Sequence, residues 1–134
     1  KRRKENYEYL YNSMSDLPIY RMNWIADSEP SFFAFPICIK QEGLREKCVN
    51  YLEENGIKTR TFFGGNLLRQ FAYKDLKWLP GNRQFPVADK LMRDAFFVGV
   101  HPSLTTSDMQ YISDVAHKFF EINLDYNKEK DSVA

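Results

Sequence analysis

The feature that most narrows the fold is the way the apolar pattern changes period along the chain. Tyr7, Leu10, Tyr11 and Met14 fall at i, i+3, i+4 and i+7, the spacing of one helix face. "FFAFPICIK", residues 32–40, is instead a run of aromatic and β-branched residues, the composition of a strand. "EGLREKCVNYLEENG" returns to helical spacing, with Leu44, Cys48, Tyr51 and Leu52 on one face and Asn55-Gly56 as a stop. "IKTRTFF", 57–63, reads as a second strand. "FPVADKLMRD" places Pro86 at a first helical position, where its missing N–H costs nothing. "AFFVGV", 95–100, is a third strand that His101-Pro102 ends. Thr105 and Asp108 then form a capping-box entry to a last helix whose buried stripe is Met109, Ile112, Val115 or Ala116, and Phe119. The order α-β-α-β-loop-α-β-α predicts an α/β or α+β fold, with a small sheet of about three strands covered by helices. Pro36 has no N–H for a ladder, which predicts that its strand lies at an edge or carries a bulge.

The 134 residues fit one domain, 1–134, and a 43% apolar content with eleven Phe and eight Tyr is enough for a core. Nineteen basic residues against eighteen acidic ones leave a net charge of +1, no field for gathering nucleic acid or an anionic membrane. No apolar run approaches the roughly 20 residues of a membrane helix. Cys38 and Cys48 lie in buried patterns, which favours a reduced, cytoplasmic protein over a disulfide-bonded secreted one. Trp24 and Trp78 fall in loops, where anchoring a loop to the core is the first expectation. The tail, 122–134, reads as frayed. "KRRKENYEYLYNSM" opens with a helix already under way, which suggests a piece cut from something longer.

The chemistry concentrates in "TRTFFGGNLLRQ", Thr59 to Gln70, at the start of a loop that runs on to residue 84. A loop of about twenty residues is uncommon and often functional. Gly64-Gly65 allows positive φ and close approach of backbone to a ligand. Arg60 and Arg69 can grip phosphate or carboxylate in bidentate fashion, and Asn66 can donate and accept. The structural alternative is that Asn66 caps a turn, Arg69 pairs with a carboxylate and the glycines only turn the chain. The pattern is not a P-loop, since no Lys-Ser/Thr follows the glycines. Cys38, Cys48, His101 and His117 have no metal-ligand spacing, and no nucleophile, base and acid line up as a catalytic set. The chain offers a binding loop without a catalytic centre.

At this loop a family resemblance appears. "GIKTRTFFGGNLLRQFAY" resembles the C-terminal segment of the DegT/StrS-type vitamin B6-dependent sugar enzymes. "EPSFFAFPICIK", "LREKCVNYLEENGI" and "VADKLMRDAFFVGVHPSLT" follow in register, so the resemblance covers roughly residues 1–121. "PSFFAFP", "FFGGNLLRQ" and "FFVGVHPSLT" are most similar to nucleotide-sugar 3-dehydratases of lipopolysaccharide O-antigen and deoxysugar synthesis. Phe71 stands where relatives usually carry a proline, and His101 where the dehydratases often carry an aromatic residue.

The resemblance implies the C-terminal small domain of an aspartate-aminotransferase-type fold, with residues 1–17 as the helix leading out of a large domain. It implies a full-length enzyme using pyridoxal phosphate or pyridoxamine phosphate, bound mainly by that large domain, with this fragment alone inactive. Its own large domain, a second subunit in a homodimer and a nucleotide-sugar substrate are the implied partners. Some of these dehydratases carry an iron–sulfur cluster, which would belong to the other part of the protein. Arg60, Asn66, Arg69 and Gln70 are the residues expected to face the interdomain cleft. A nucleotide-sugar aminotransferase of the same family is the alternative. Outside the family, a freestanding binding or interaction module such as an RNA-recognition fold is the remaining reading, and "DAFFVGV" lacks that fold's glycine and basic positions.

Overall fold

A computed structural model describes residues 1–73 and 84–131, with side chains up to residue 124. Four helices and four strands follow one another: α1 (Arg2–Ser13), β1 (Ile19–Tyr20), β2 (Ala34–Ile39), α2 (Arg45–Glu54), β3 (Thr59–Thr61), α3 (Pro86–Asp94), β4 (Ala95–Gly99) and α4 (Thr106–Asp131). Two short 3-10 turns, Leu67–Arg69 and Phe71–Tyr73, lie between β3 and α3. The strands form one antiparallel sheet in the order β1-β2-β4-β3.

The two faces of the sheet have different jobs. Phe35, Ile37 and Ile39 of β2, with Phe96, Val98 and the following Val100, alternate onto the face that α1, α2 and α4 cover. Tyr7 and Leu10 come from α1, Cys48 and Leu52 from α2, and Met109, Ile112 and Phe119 from α4, all buried. Tyr7 stacks on Phe32 with ring centroids 3.6 Å apart, and Trp24 packs edge-on against both, so Trp24 pins the 21–31 connection to the core. Trp78 lies outside the described residues. The opposite face carries Pro36 and Cys38 of β2 beside their register partners Phe97 and Ala95 of β4. Of the described residues, Val87, Lys90 and Leu91 of α3 lie beside its Cys38–Ala95 end and line a cavity with it.

The local signals act where the residues place them. Thr105 Oγ1 accepts from the Asp108 N–H at 3.2 Å, and Asp108 accepts from the Thr105 N–H at 2.7 Å, a reciprocal cap on α4. Gly56, at φ +77°, ends α2. α3 begins at Pro86 as its φ preference dictates.

Three expectations change. The sheet has a fourth strand, because Ile19–Tyr20 pairs with Ile39 and Cys38. The second strand shrinks to Thr59–Thr61, since Phe63 swings to φ +51° and the chain leaves the ladder. β2 is an interior strand, not an edge. Pro36 is accommodated because β1 reaches no further than Cys38, so one flank of Pro36 has no neighbouring strand among the described residues. Lys40 N–H donates to the Pro18 carbonyl on the β1 side, and the two-residue period puts the Pro36 nitrogen on that same open flank.

Candidate functional site

The loop after β3 is built by its own polar residues. Asn66 is 5% exposed; its Oδ1 accepts from the Leu68 N–H at 3.1 Å, capping the first 3-10 turn. Its Nδ2 donates to Asp89 Oδ1 at 2.8 Å. Arg69 clamps the same carboxylate in bidentate fashion, Nε to Oδ1 at 3.0 Å and Nη2 to Oδ2 at 2.9 Å. Gln70 Nε2 donates to the Gly64 carbonyl at 2.9 Å and closes the turn on itself. Asp89, on α3, is therefore the hub that ties the loop to the body of the domain. The Arg69 guanidinium, then the Asn66 amide, hold its carboxyl down at about 2. The sequence reading missed Asp89 because its partners lie 20 and 23 residues away across the loop.

The glycines serve this packing. A Cβ on Gly64 would stand 2.3 Å from Gln70 Nε2, and one on Gly65, at φ +64°, would stand 2.4 Å from Met92 Cγ. The close approach that a Gly-Gly pair allows is thus taken up by Gln70 and Met92.

What the loop presents outward is aromatic and cationic. Phe63 is 74% exposed, and its ring centroid lies 6.0 Å from that of Phe97. Phe33, just before β2 and 69% exposed, meets Phe97 edge-on at 5.8 Å. Arg60 is the register partner of Phe97, so both belong to the open face of the sheet. Arg60 is exposed and has no carboxylate partner among the described residues. Of the four candidate residues, the structure joins Asn66 and Arg69 through Asp89, closes Gln70 on the Gly64 carbonyl and leaves Arg60 on the neighbouring strand. Arg69 keeps an exposed side chain despite its ion pair.

Beside this face a cavity of about 530 Å³ opens between the Tyr20–Met22 segment, β2 and α3. Met22, Pro36, Phe62 and Val87 make it apolar, and Cys38 and Lys90 are its reactive side chains. Neither is poised as a nucleophile. Burial pushes the Cys38 thiol up. Lys90 donates to the buried Asp94 at 3.0 Å, and that bond raises its pKa and keeps it an ammonium. Cys48 is pushed up to about 12 by burial alone. The His101 ring bonds to Ser103 within its own turn, and its carbonyl accepts from Asn6 Nδ2 of α1 at 3.0 Å. His117 sits at the rim between the Ser113 carbonyl and Asp16. Among the described residues no group of three His, Cys, Asp or Glu could hold a metal ion. Nor is any helix among them long and apolar enough to cross a membrane.

A small antiparallel sheet covered on one face by helices, with the Gly64-Gly65 loop beside the other face, matches aminotransferase-fold structures. Aminotransferase TlmJ from Streptoalloteichus hindustanus superposes with a TM-score of 0.77 at 18% identity, over 92% of this chain and 32% of that one. The chain belongs to the DegT/DnrJ/EryC1/StrS aminotransferase family, whose model matches residues 1–117. It is 33% identical over 129 residues to lipopolysaccharide biosynthesis protein RfbH of Salmonella typhimurium, covering 90% of this chain and 28% of that protein. It is 30% identical over 126 residues to the dTDP-4-dehydro-2,6-dideoxy-D-glucose 3-dehydratase of Saccharopolyspora spinosa, covering 87% of this chain and 26% of that enzyme. Escherichia coli GDP-4-keto-6-deoxy-D-mannose-3-dehydratase, solved with bound hydrated PLP, matches at 26% identity with a TM-score of 0.72, over 86% of this chain and 30% of that one. The chain thus spans somewhat over a quarter of the length of its curated relatives.

Proposed function

We propose that this chain is the C-terminal domain of a pyridoxal or pyridoxamine phosphate-dependent nucleotide-sugar 3-dehydratase of lipopolysaccharide O-antigen and deoxysugar synthesis, acting as one wall of its interdomain cleft. The substrate proposed is CDP-4-keto-6-deoxyglucose. One observation carries the reading: the two curated relatives at 30% identity or more are a lipopolysaccharide biosynthesis protein and a sugar 3-dehydratase. An aminotransferase of the same family is the second reading, favoured by the structure of sugar aminotransferase CalS13, which shares the fold.

Among the described residues, the lysine of the apolar cavity does not fit the cofactor. Its imine would need a neutral lysine in a cleft, and Lys90, the lysine of the apolar cavity, is held charged by Asp94. No step of the reaction is therefore routed through this domain. Its part is binding and orientation. Arg60 and Arg69 supply cations for the diphosphate, and Asn66 and Gln70 hold the loop that carries Arg69 in place. A large domain of the same protein and a second subunit complete the site in this reading.

The test uses the whole protein loaded with pyridoxamine phosphate and CDP-4-keto-6-deoxyglucose. Loss of the 3-hydroxyl without incorporation of an amino group supports the dehydratase. Formation of an amino sugar at the expense of glutamate overturns it in favour of the aminotransferase.

A further inference from the structure

We infer that Phe33, Phe63 and Phe97, with Arg60 beside them, form a subsite that stacks the base of the substrate's nucleotide and holds its phosphate. This rests on the reading of the chain as part of a nucleotide-sugar enzyme and names the half of the substrate that the open sheet face takes.

Three independent features meet at this place. The first is backbone strain. Phe63 adopts φ +51°, a conformation bulky residues avoid. Burial does not offset it, because the side chain is 74% exposed. A strained backbone that keeps an aromatic ring in water is the pattern of a residue held for a ligand rather than for the core.

The second is the arrangement of rings. Phe97, 9% exposed, is a fixed floor in β4, with Phe33 at 5.8 Å and 70° on one side and Phe63 at 6.0 Å and 40° on the other. Phe62 meets Phe63 edge-on at 5.7 Å and limits its swing. Two exposed rings canted over a buried one offer a platform for a flat heteroaromatic group.

The third is charge. Arg60 is directly across the ladder from Phe97. Cross-strand partners have Cβ atoms about 5 Å apart, comparable with the reach from a base to its 5′-phosphate. Arg60 has no carboxylate partner among the described residues, so its guanidinium is available for a bidentate grip on phosphate. An apolar partner alone would have no use for it. The loop that sets Phe63 in place is clamped from behind by Asp89 and by the contact of Gly65 with Met92, so the platform is preformed.

The test titrates the whole protein with three probes, CDP, cytidine and pyrophosphate, followed by calorimetry and by saturation transfer to the base protons. CDP is expected to bind saturably in the millimolar range, with transfer to the base from phenylalanine rings. Phe63→Gly should weaken CDP and cytidine about fivefold or more and leave pyrophosphate unchanged. Arg60→Gln should weaken CDP and pyrophosphate and leave cytidine unchanged. Phe63→Gly also relieves the positive φ, so its Tm should be level with the parent or higher. The inference is overturned if CDP shows no saturable binding, if neither variant changes it, or if Phe63→Gly lowers Tm by several degrees. The last result would make Phe63 a packing residue. Failure here leaves the dehydration assay untouched, and an amino-sugar product there leaves this subsite standing, so the two readings fail separately.

Discussion

Gly65→Ala isolates how much of the loop's shape depends on close packing rather than on backbone freedom. Gly65 sits at φ +64°, and an added Cβ would stand 2.4 Å from Met92 Cγ and 2.7 Å from Met92 Cβ. Gly56 is the matched control, at φ +77° with nothing within 4 Å of an added Cβ. Alanine at either position bears the left-handed penalty of about 1–2 kcal/mol. At Gly65 alone it also forces Met92 and α3 aside, an overpacking cost of about 1–3 kcal/mol. Because the clash includes Met92 Cβ, rotating the far end of the methionine cannot relieve it. Gly56→Ala should therefore lose about 1–2 kcal/mol and Gly65→Ala about 2–5 kcal/mol, read as midpoint shifts in urea at constant slope. Met92 is 37% exposed, so Met92→Ala is mild by itself. In a double-mutant cycle it should return part of the Gly65→Ala loss, since it removes Met92 Cγ, the nearest atom. Equal losses at the two glycines, or no coupling with Met92, would refute the argument that Gly65 is required by the approach of α3.

The other expectations are briefer. Phe96→Ala, at 1% exposure in the centre of the core, should cost about 3–5 kcal/mol in the same urea assay. Partial burial lowers His117, but the Ser113 carbonyl and the Asp16 carboxylate raise it on balance. Its stabilisation is therefore complete below the unfolded value of 6.5 and lost as pH rises through the raised folded value, so His117→Gln should cost more at pH 5.5 than at pH 8.5. Asp89→Asn should open the 64–73 loop to proteolysis while leaving the helical core signal in circular dichroism intact. Addition of pyridoxal phosphate to this chain should give no internal-aldimine absorbance band from a single lysine, and a stable band would contradict the cofactor reading.

Elements whose signals are local were legible in the sequence. The Thr105–Asp108 cap, the Gly56 stop and the Pro86 start each depend on residues within one helical turn, and each is where the sequence puts it. β1 was not legible, because two residues following Pro18 have no period to read and pair only through a partner 18 to 20 residues on. The candidate loop was found by its composition, yet its wiring was not. Asn66 and Arg69 look equally suited to a ligand or to a carboxylate, and the decision depends on where α3 places Asp89. The aromatic trio was hidden for a similar reason: Phe33, Phe63 and Phe97 lie on three different segments that only the sheet register brings together.

The unpaired flank of β2 has a further consequence for self-association. Beyond Cys38 no strand among the described residues continues the ladder past β2, so Ala34–Ile37 is a stretch to which a foreign strand could add. Pro36 sits within it with its ring nitrogen toward the open side, and a strand arriving there would find a missing donor and a ring in the way. The flank is thereby sealed against edge-to-edge growth although no strand among the described residues pairs with it. Pro36→Val would restore the donor in a segment that then reads Ala-Phe-Val-Ile, and would let one copy of the chain add to another through its sheet.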